Sequence, residues 1–325
     1  MIFCAFIQTF YLIGGQQRVK SIINIFREVK KNHALFILMA PAIIIVLVLN
    51  YAPLAGLWVA FTRFRPIDGI FGSPFVGLDN FRFLFMTGRG WTITINTITY
   101  NLTNLVFLQV SAVVLAIFIS EIRGGFFKKI LQTSIFMPHF ISWVVVGMLV
   151  FNIFNFEFGA LNTILRSVGL DPVNIYSNPP LWRILIPLFN TWKHVGYTSV
   201  IYLAAIAGVD QECYESADID GANILQKNLF ITIPSISKTI IIMCLLAVGR
   251  MLRGDFQMFF QLIGFNGQLF SATDIIDTFV FRSLITGTDF GMSAAVTFYQ
   301  SVLCFIIIVI VNGIVRRVDK DSSLF

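Results

Sequence analysis

The chain has 325 residues, of which 57% are hydrophobic, 15% aromatic and only 12% charged, with a formal net charge of +6. A soluble domain carries about 25% charged residues, and several apolar runs here approach or exceed the roughly 20 residues that cross a bilayer. A soluble enzyme is therefore excluded, as is a β-barrel, whose strands show only about 10 alternating residues each; an all-α polytopic membrane protein is expected.

Residues 1–13 are apolar but too short to span, and no Lys or Arg precedes them, so they read as an interfacial helix and not as a secretory signal. Arg18, Lys20, Arg27, Lys30 and Lys31 follow, making 1–33 a basic amphipathic segment at the lipid surface. Six spans are expected at about 34–61, 92–120, 129–154, 181–208, 235–262 and 291–315, together a membrane domain over 34–317 with a short tail at 318–325. The loops at 62–90 and 155–180 are rich in Gly, Pro and turn residues.

Basic residues set the orientation. One side holds Arg18, Lys20, Arg27, Lys30, Lys31, Arg123, Lys128, Lys129, Lys227, Lys238, Arg316, Arg317 and Lys320; the other holds Arg63, Arg65, Arg82, Arg89, Arg166, Arg183 and Arg282. The richer side is cytoplasmic, which puts both termini and the loop 210–234 there. Trp91 and Trp182 then mark the outer interface.

The loop 210–234 is the one long polar interruption in the second half of the chain. Asp210 is placed to cap a helix. Glu212, Glu215 and Asp218 recur every three residues and form one acidic face. Asp220-Gly221 breaks that helix, a second short helix runs from Ala222 to Phe230, and Pro234 fixes the entry into the fifth span. Two short helices held at both ends suit docking into a groove on a partner better than a plain connector.

Glu215-Ser216-Ala217, then Gly221, then nine residues to Ile231-Thr232-Ile233-Pro234, resemble the EAA loop of ABC-importer membrane subunits, with Ser216 for an Ala and Ile233 for a Leu. Asp220-Gly221-Ala222 is similar to the sugar-importing branch. Asn50-Tyr51-Ala52-Pro53, the run Gly72 to Phe81, Pro138 to Trp143 and Ile276 to Arg282 resemble its polysaccharide-permease subgroup. The resemblance implies a type I importer permease with both termini in the cytoplasm of a bacterium and its body in the inner membrane. It implies a second, homologous permease subunit, two ATPase subunits and an external solute-binding protein as partners, with membrane lipid around it and no nucleic acid. In such a subunit Glu215 pairs with the ATPase, Gly221 is the hinge, and Ser216, Ala217, Asp218, Asp220 and Pro234 complete the coupling motif. The chain has no GxxxxGK[ST], so ATP and magnesium belong to the partner ATPase, this chain needs no cofactor of its own, and it is a transport subunit, not an enzyme.

Charges at membrane depth are costly and tend to face a cavity. Lys193 and His194 lie in the fourth span beside Trp192 and Tyr197. Lys193 reads equally as a structural residue. Arg250 and Arg253, three residues apart in the fifth span, read as one cationic helix face followed by Phe256; snorkelling outward or pairing with Asp255 is the other reading. Cations beside aromatic rings favour an acidic oligosaccharide, and with the subgroup resemblance they point to a permease subunit of the bacterial alginate-importer kind. His33 and His139 have no second ligand at metal spacing, and the four cysteines show none either, so no metal site is expected. The rival reading is an ion-coupled secondary transporter, which would place carboxylates at mid-membrane.

Overall fold

A computed structural model describes residues 31–318 apart from Arg123, Arg250 and Thr288. The expectations for residues 1–30, for Arg123, for Arg250 and for the tail beyond 318 therefore lie outside the described residues. The chain divides into two units, Met1–Gly56 and Leu57–Phe325.

In the first unit, α1 (His33–Val46) contains Pro41 and buries none of its side chains. A π-helical turn, Leu47–Tyr51, follows, and the helix then tightens into 3-10 geometry from Ala52. Pro53 has no N–H and its ring crowds the preceding turn. The wide turn directly before it is the usual way a helix absorbs such a residue.

In the second unit, the loop after Phe61 is pinched by an isolated antiparallel bridge between Thr62 and Phe75. The Asn80 amide, in α2 (Asp79–Met86), donates to the Ala60 and Thr62 carbonyls at 2.9 and 3.0 Å. The long helix α3 (Arg89–Glu121) packs along α7 (Pro179–Ala207), and this pair is the spine of the unit. Between them lie α4 (Gly125–Phe136), a 3-10 turn at Met137–Phe140, α5 (Trp143–Phe154) and α6 (Ala160–Ser167). After α7 come α8 (Gln211–Ile219), α9 (Ile224–Lys227), α10 (Ser237–Val248), α11 (Phe256–Ile263), α12 (Ile276–Ile285) and α13 (Phe290–Val318).

Among the described residues, His33–Phe61, Arg89–Glu121 and Phe290–Gly313 are long and apolar enough to cross a membrane unbroken, and bent pairs raise the number to at most five. The expected third span is not straight. Its two halves, Gly125–Phe140 and Trp143–Phe154, meet at 93°. The expected fifth span is not one helix either. Helix α10 stops at Val248, and residues 251–255 are irregular before α11 begins. Arg253 therefore does not sit on a helix face as its spacing from Arg250 suggested. The physical reason is local: Gly249 and Gly254 flank the segment, and Asp255 caps α11 by accepting from the Met258 N–H at 3.1 Å. Helix α7 has length to spare at 29 residues but carries polar groups such as Asn190 and Lys193 in its buried face.

Small residues let the helices close. Ala112 and Ala116 of α3 are fully buried with Tyr202 of α7 and Ile236. A Cβ on Gly147 of α5 would lie 2.5 Å from the Gln261 carbonyl oxygen of α11, and one on Gly196 of α7 would run into the Ile135 carbonyl of α4. Gly196→Ala is expected to destabilise the folded subunit by about 1–3 kcal/mol, the usual cost of overpacking. Thermal unfolding of the purified complex measures it, and an unchanged midpoint would show that α4 and α7 can part freely.

Candidate functional site

The breaks in the membrane helices leave backbone carbonyls without intrahelical partners. At the α4–α5 break these are taken by Lys193, which is only 6% exposed. Its ammonium donates to the carbonyls of Pro138 at 3.4 Å, His139 at 3.0 Å and Ile141. An ammonium has three donors, so those three carbonyls saturate it. The same nitrogen lies 5.4 Å from the centre of the Trp143 ring, and the Trp143 indole N–H donates to Asp255 at 2.8 Å. Asp255 is also the cap of α11, so one chain of contacts joins α7 to both breaks.

Around that node, His194 and His139 approach through their Nδ1 atoms at 3.3 Å, and the His139 ring stacks on Tyr197 at 4.5 Å between centroids. Three of the sequence candidates, Lys193, His194 and Tyr197, are thus brought together against the first break. Trp192 is exposed on α7, and Phe256 is instead packed between Phe260 and Phe281.

Arg253 stands apart from the node. It lines a cavity of about 660 Å³ between α3, α7 and α10. The polar lining is Asn101, Asn104 and Gln109 from α3, Asn190 and Thr198 from α7, and then Arg253 and Asp255. Asn101 donates to the Thr97 carbonyl at 2.9 Å, and Gln109 accepts from the Tyr202 hydroxyl. The Asn104 side-chain oxygen is buried without a hydrogen-bond partner, which leaves it free to accept from a hydroxyl. Neither described ion pair uses Arg253. The cavity therefore offers amide donors and acceptors beside one guanidinium, a set that suits hydroxyls and a carboxylate. Sequence reasoning missed the amides. Their signal was present in the run of Thr, Asn and Gln residues through the second span, with amides at 101, 104 and 109.

The second break is closed from the other side. The Gly254 N–H donates to Asp277 at 2.8 Å, and the Gln300 amide donates to the Leu252 carbonyl at 2.6 Å and to Asp277 at 3.3 Å. Burial pushes the Asp277 carboxyl above the ordinary aspartate range, against the pull of those donors.

In the loop 210–234, Asp210 caps α8 by accepting from the Glu212 N–H at 3.0 Å. Gly221 has φ +75°, a left-handed position that favours glycine, and it ends the helix. Asn223 and Gln226 form a reciprocal capping box on α9, Lys227 pairs with Asp218 at 2.7 Å, and Tyr214 meets Thr232 at 2.9 Å. These bonds fold the loop into one body. Glu215, Ser216, Asp218, Asp220, Gly221 and Pro234 are exposed on it, and Ala217 is half-buried. Ile219, Leu225 and Phe230 are exposed on the same loop, at 88%, 70% and 76%.

Residues 112–320 match the family described as binding-protein-dependent transport system inner membrane component. The chain belongs to this family. It is 31% identical over 293 residues to protein LplB of Bacillus subtilis, covering 90% of this chain and 92% of that one. It is 31% identical over 288 residues to the polygalacturonan/rhamnogalacturonan transport system permease protein YteP of the same organism, covering 89% of each. Among solved structures it is similar to a bacterial ABC transporter involved in import of the acidic polysaccharide alginate, with TM-score 0.82 and 29% identity over 91% of this chain and 99% of that one. A second structure of a bacterial alginate ABC transporter, in complex with an alginate pentasaccharide-bound periplasmic protein, gives TM-score 0.80 at 29% identity. The chain is an all-α, inner-membrane permease of a carbohydrate ABC importer, a transport component and not an enzyme. The ion-coupled reading falls with that assignment.

Removing the ammonium at the first break should be costly. Lys193→Met leaves buried carbonyls without donors and should lower stability by roughly 1–3 kcal/mol, whereas Lys193→Arg keeps the charge and most of the bonds. Denaturation of the purified complex compares the two; equal behaviour of Met and Arg would remove the clamp role.

Proposed function

We propose that this permease carries an acidic oligo- or polysaccharide, a uronate chain of the alginate kind, with Arg253 as the group that meets a substrate carboxylate. The observation that carries this reading is the placement of Arg253 in an amide-lined cavity with no described ion pair of its own. Amides hydrogen-bond sugar hydroxyls, and the guanidinium fork binds a carboxylate bidentately. Lys193 and His194 act beside it by holding the wall of the path, with Tyr197 and Trp192 as aromatic surfaces and Arg250 as a further candidate; Phe256, packed against Phe260 and Phe281, is left out of it. The alginate transporter structures are in keeping with an acidic substrate.

The stroke arrives through 210–234. In this reading the loop lies in the cytoplasm and docks on one of two partner ATPase subunits, which hold ATP and magnesium. A second permease completes the cavity, and an external solute-binding protein delivers the saccharide. Closure of the ATPases moves α8 and α9 as one body, because Lys227–Asp218 and Tyr214–Thr232 tie them together. Glu215 is the charged contact, and Ile219, Leu225 and Phe230 supply apolar surface beside it.

Arg253→Ala should reduce stimulation of ATPase by a uronate oligomer about ten- to a hundred-fold while sparing a neutral oligomer, in line with loss of a charge-assisted bond. Unchanged uronate stimulation would sink the charge-recognition reading. Glu215→Arg should abolish ATP-coupled uptake with the subunit still inserted in the membrane. Normal uptake by that variant would place the ATPase contact elsewhere.

A further inference from the structure

A second cavity, of about 690 Å³, opens between α5, the end of α11 and the loops at 155–157 and 174–176. Its size is within the range of about 300–1,000 Å³ typical of small-molecule sites. Its walls are fixed before anything enters. Asn162, fully buried, donates to the Val173 carbonyl at 3.0 Å and accepts from its N–H at 2.8 Å. Arg166 donates to the carbonyls of Glu157 at 2.9 Å and Phe156 at 3.0 Å. Asn266 donates to the Tyr176 carbonyl at 2.7 Å, tying the loop at 174–176 to the one after α11. The close approach at Gly147 sets the floor.

The lining chemistry differs from that of the Arg253 cavity. No Lys, Arg or His lines it. It presents the amides of Gln261 and Asn174, the carboxylate of Glu157 and the ring of Tyr176. Asn155 spends its oxygen on the N–H groups of Glu157 and Phe158 and keeps its amide nitrogen for another acceptor. Burial pushes the Tyr176 phenol up to about 12, so it stays neutral at working pH. Amides, one carboxylate and an aromatic face bind neutral sugar hydroxyls and the apolar face of a sugar ring, and the carboxylate repels a uronate.

We infer that this groove is a second saccharide subsite, selective for an uncharged sugar unit, so that the substrate is an oligosaccharide with both neutral and acidic residues. Helix α11 links the two cavities: Asp255 at its start lines one, and Gln261 to Ile263 at its end line the other. Five residues of helix, 256–260, lie between Asp255 and Gln261, a rise of about 9 Å. The inference rests on the proposed role of Arg253 for the acidic unit only.

The test uses the assembled complex in liposomes with its binding protein and three probes: a homo-uronate oligomer, a mixed uronate–neutral oligomer and a neutral oligomer. Gln261→Ala and Asn174→Ala should each lower maximal uptake of the mixed and neutral oligomers about tenfold, the cost of one lost polar contact, and leave the homo-uronate unchanged. Tyr176→Phe keeps the ring and should behave as the unaltered protein. Equal loss for all three probes, or no loss for any, overturns the subsite. So does loss of the second permease on copurification, which would make the groove a subunit contact. The neutral probe reads this site without Arg253, so failure of the acidic reading and failure of this one give different patterns.

Discussion

The structure depends on one buried ammonium. Lys193 closes the exposed backbone of a membrane helix that turns through 93°. Irregular backbone at membrane depth is tolerated only where protein groups satisfy it. A bent helix in this position therefore requires a donor from a neighbour, and a lysine on α7 with its stem buried supplies three. The indole of Trp143 extends the arrangement to Asp255 and so to the second break. The second break is held in turn by Asp277 and Gln300.

This arrangement explains why the charges in the apolar interior do different work. Lys193 and Asp255 serve backbone and indole, whereas Arg253, in an irregular segment between two short helices, is free of the described ion pairs and faces a cavity. The broken fifth segment is what separates them. A continuous helix would have carried Arg253 on a regular face; the break turns its backbone and lets Asp255 cap α11 while lining the same space. A carbohydrate ABC importer must change the access of its path, and elements already interrupted at 141–142 and 251–255 are natural points for that change.

Much of this was legible in the chain itself. The apolar runs and the spacing from Glu215 through Gly221 to Pro234 point to a membrane permease of a carbohydrate importer, which the family match shows. The loop's caps were readable because Asp210, Gly221 and Asn223 act on residues within a few positions of themselves. The lines of Arg253 and Phe256 were less readable. Helical spacing placed Arg253 on one face with Arg250 and left Phe256 beside the path, but Arg253 lies in a bend and Phe256 packs among Phe260 and Phe281.

Composition and local pattern thus determined the class and the family, because membrane length and helix capping are properties of neighbouring residues. Tertiary structure decided which charge is spent and which is available. The carbonyls that occupy Lys193 come from positions more than fifty residues away, at a bend where Pro138 interrupts the helix. The amides that share a cavity with Arg253 come from α3 and α7, which approach closely where Ala112 and Ala116 pack against Tyr202. Long-range satisfaction of buried polar groups is a property of the packed chain and not of neighbouring residues.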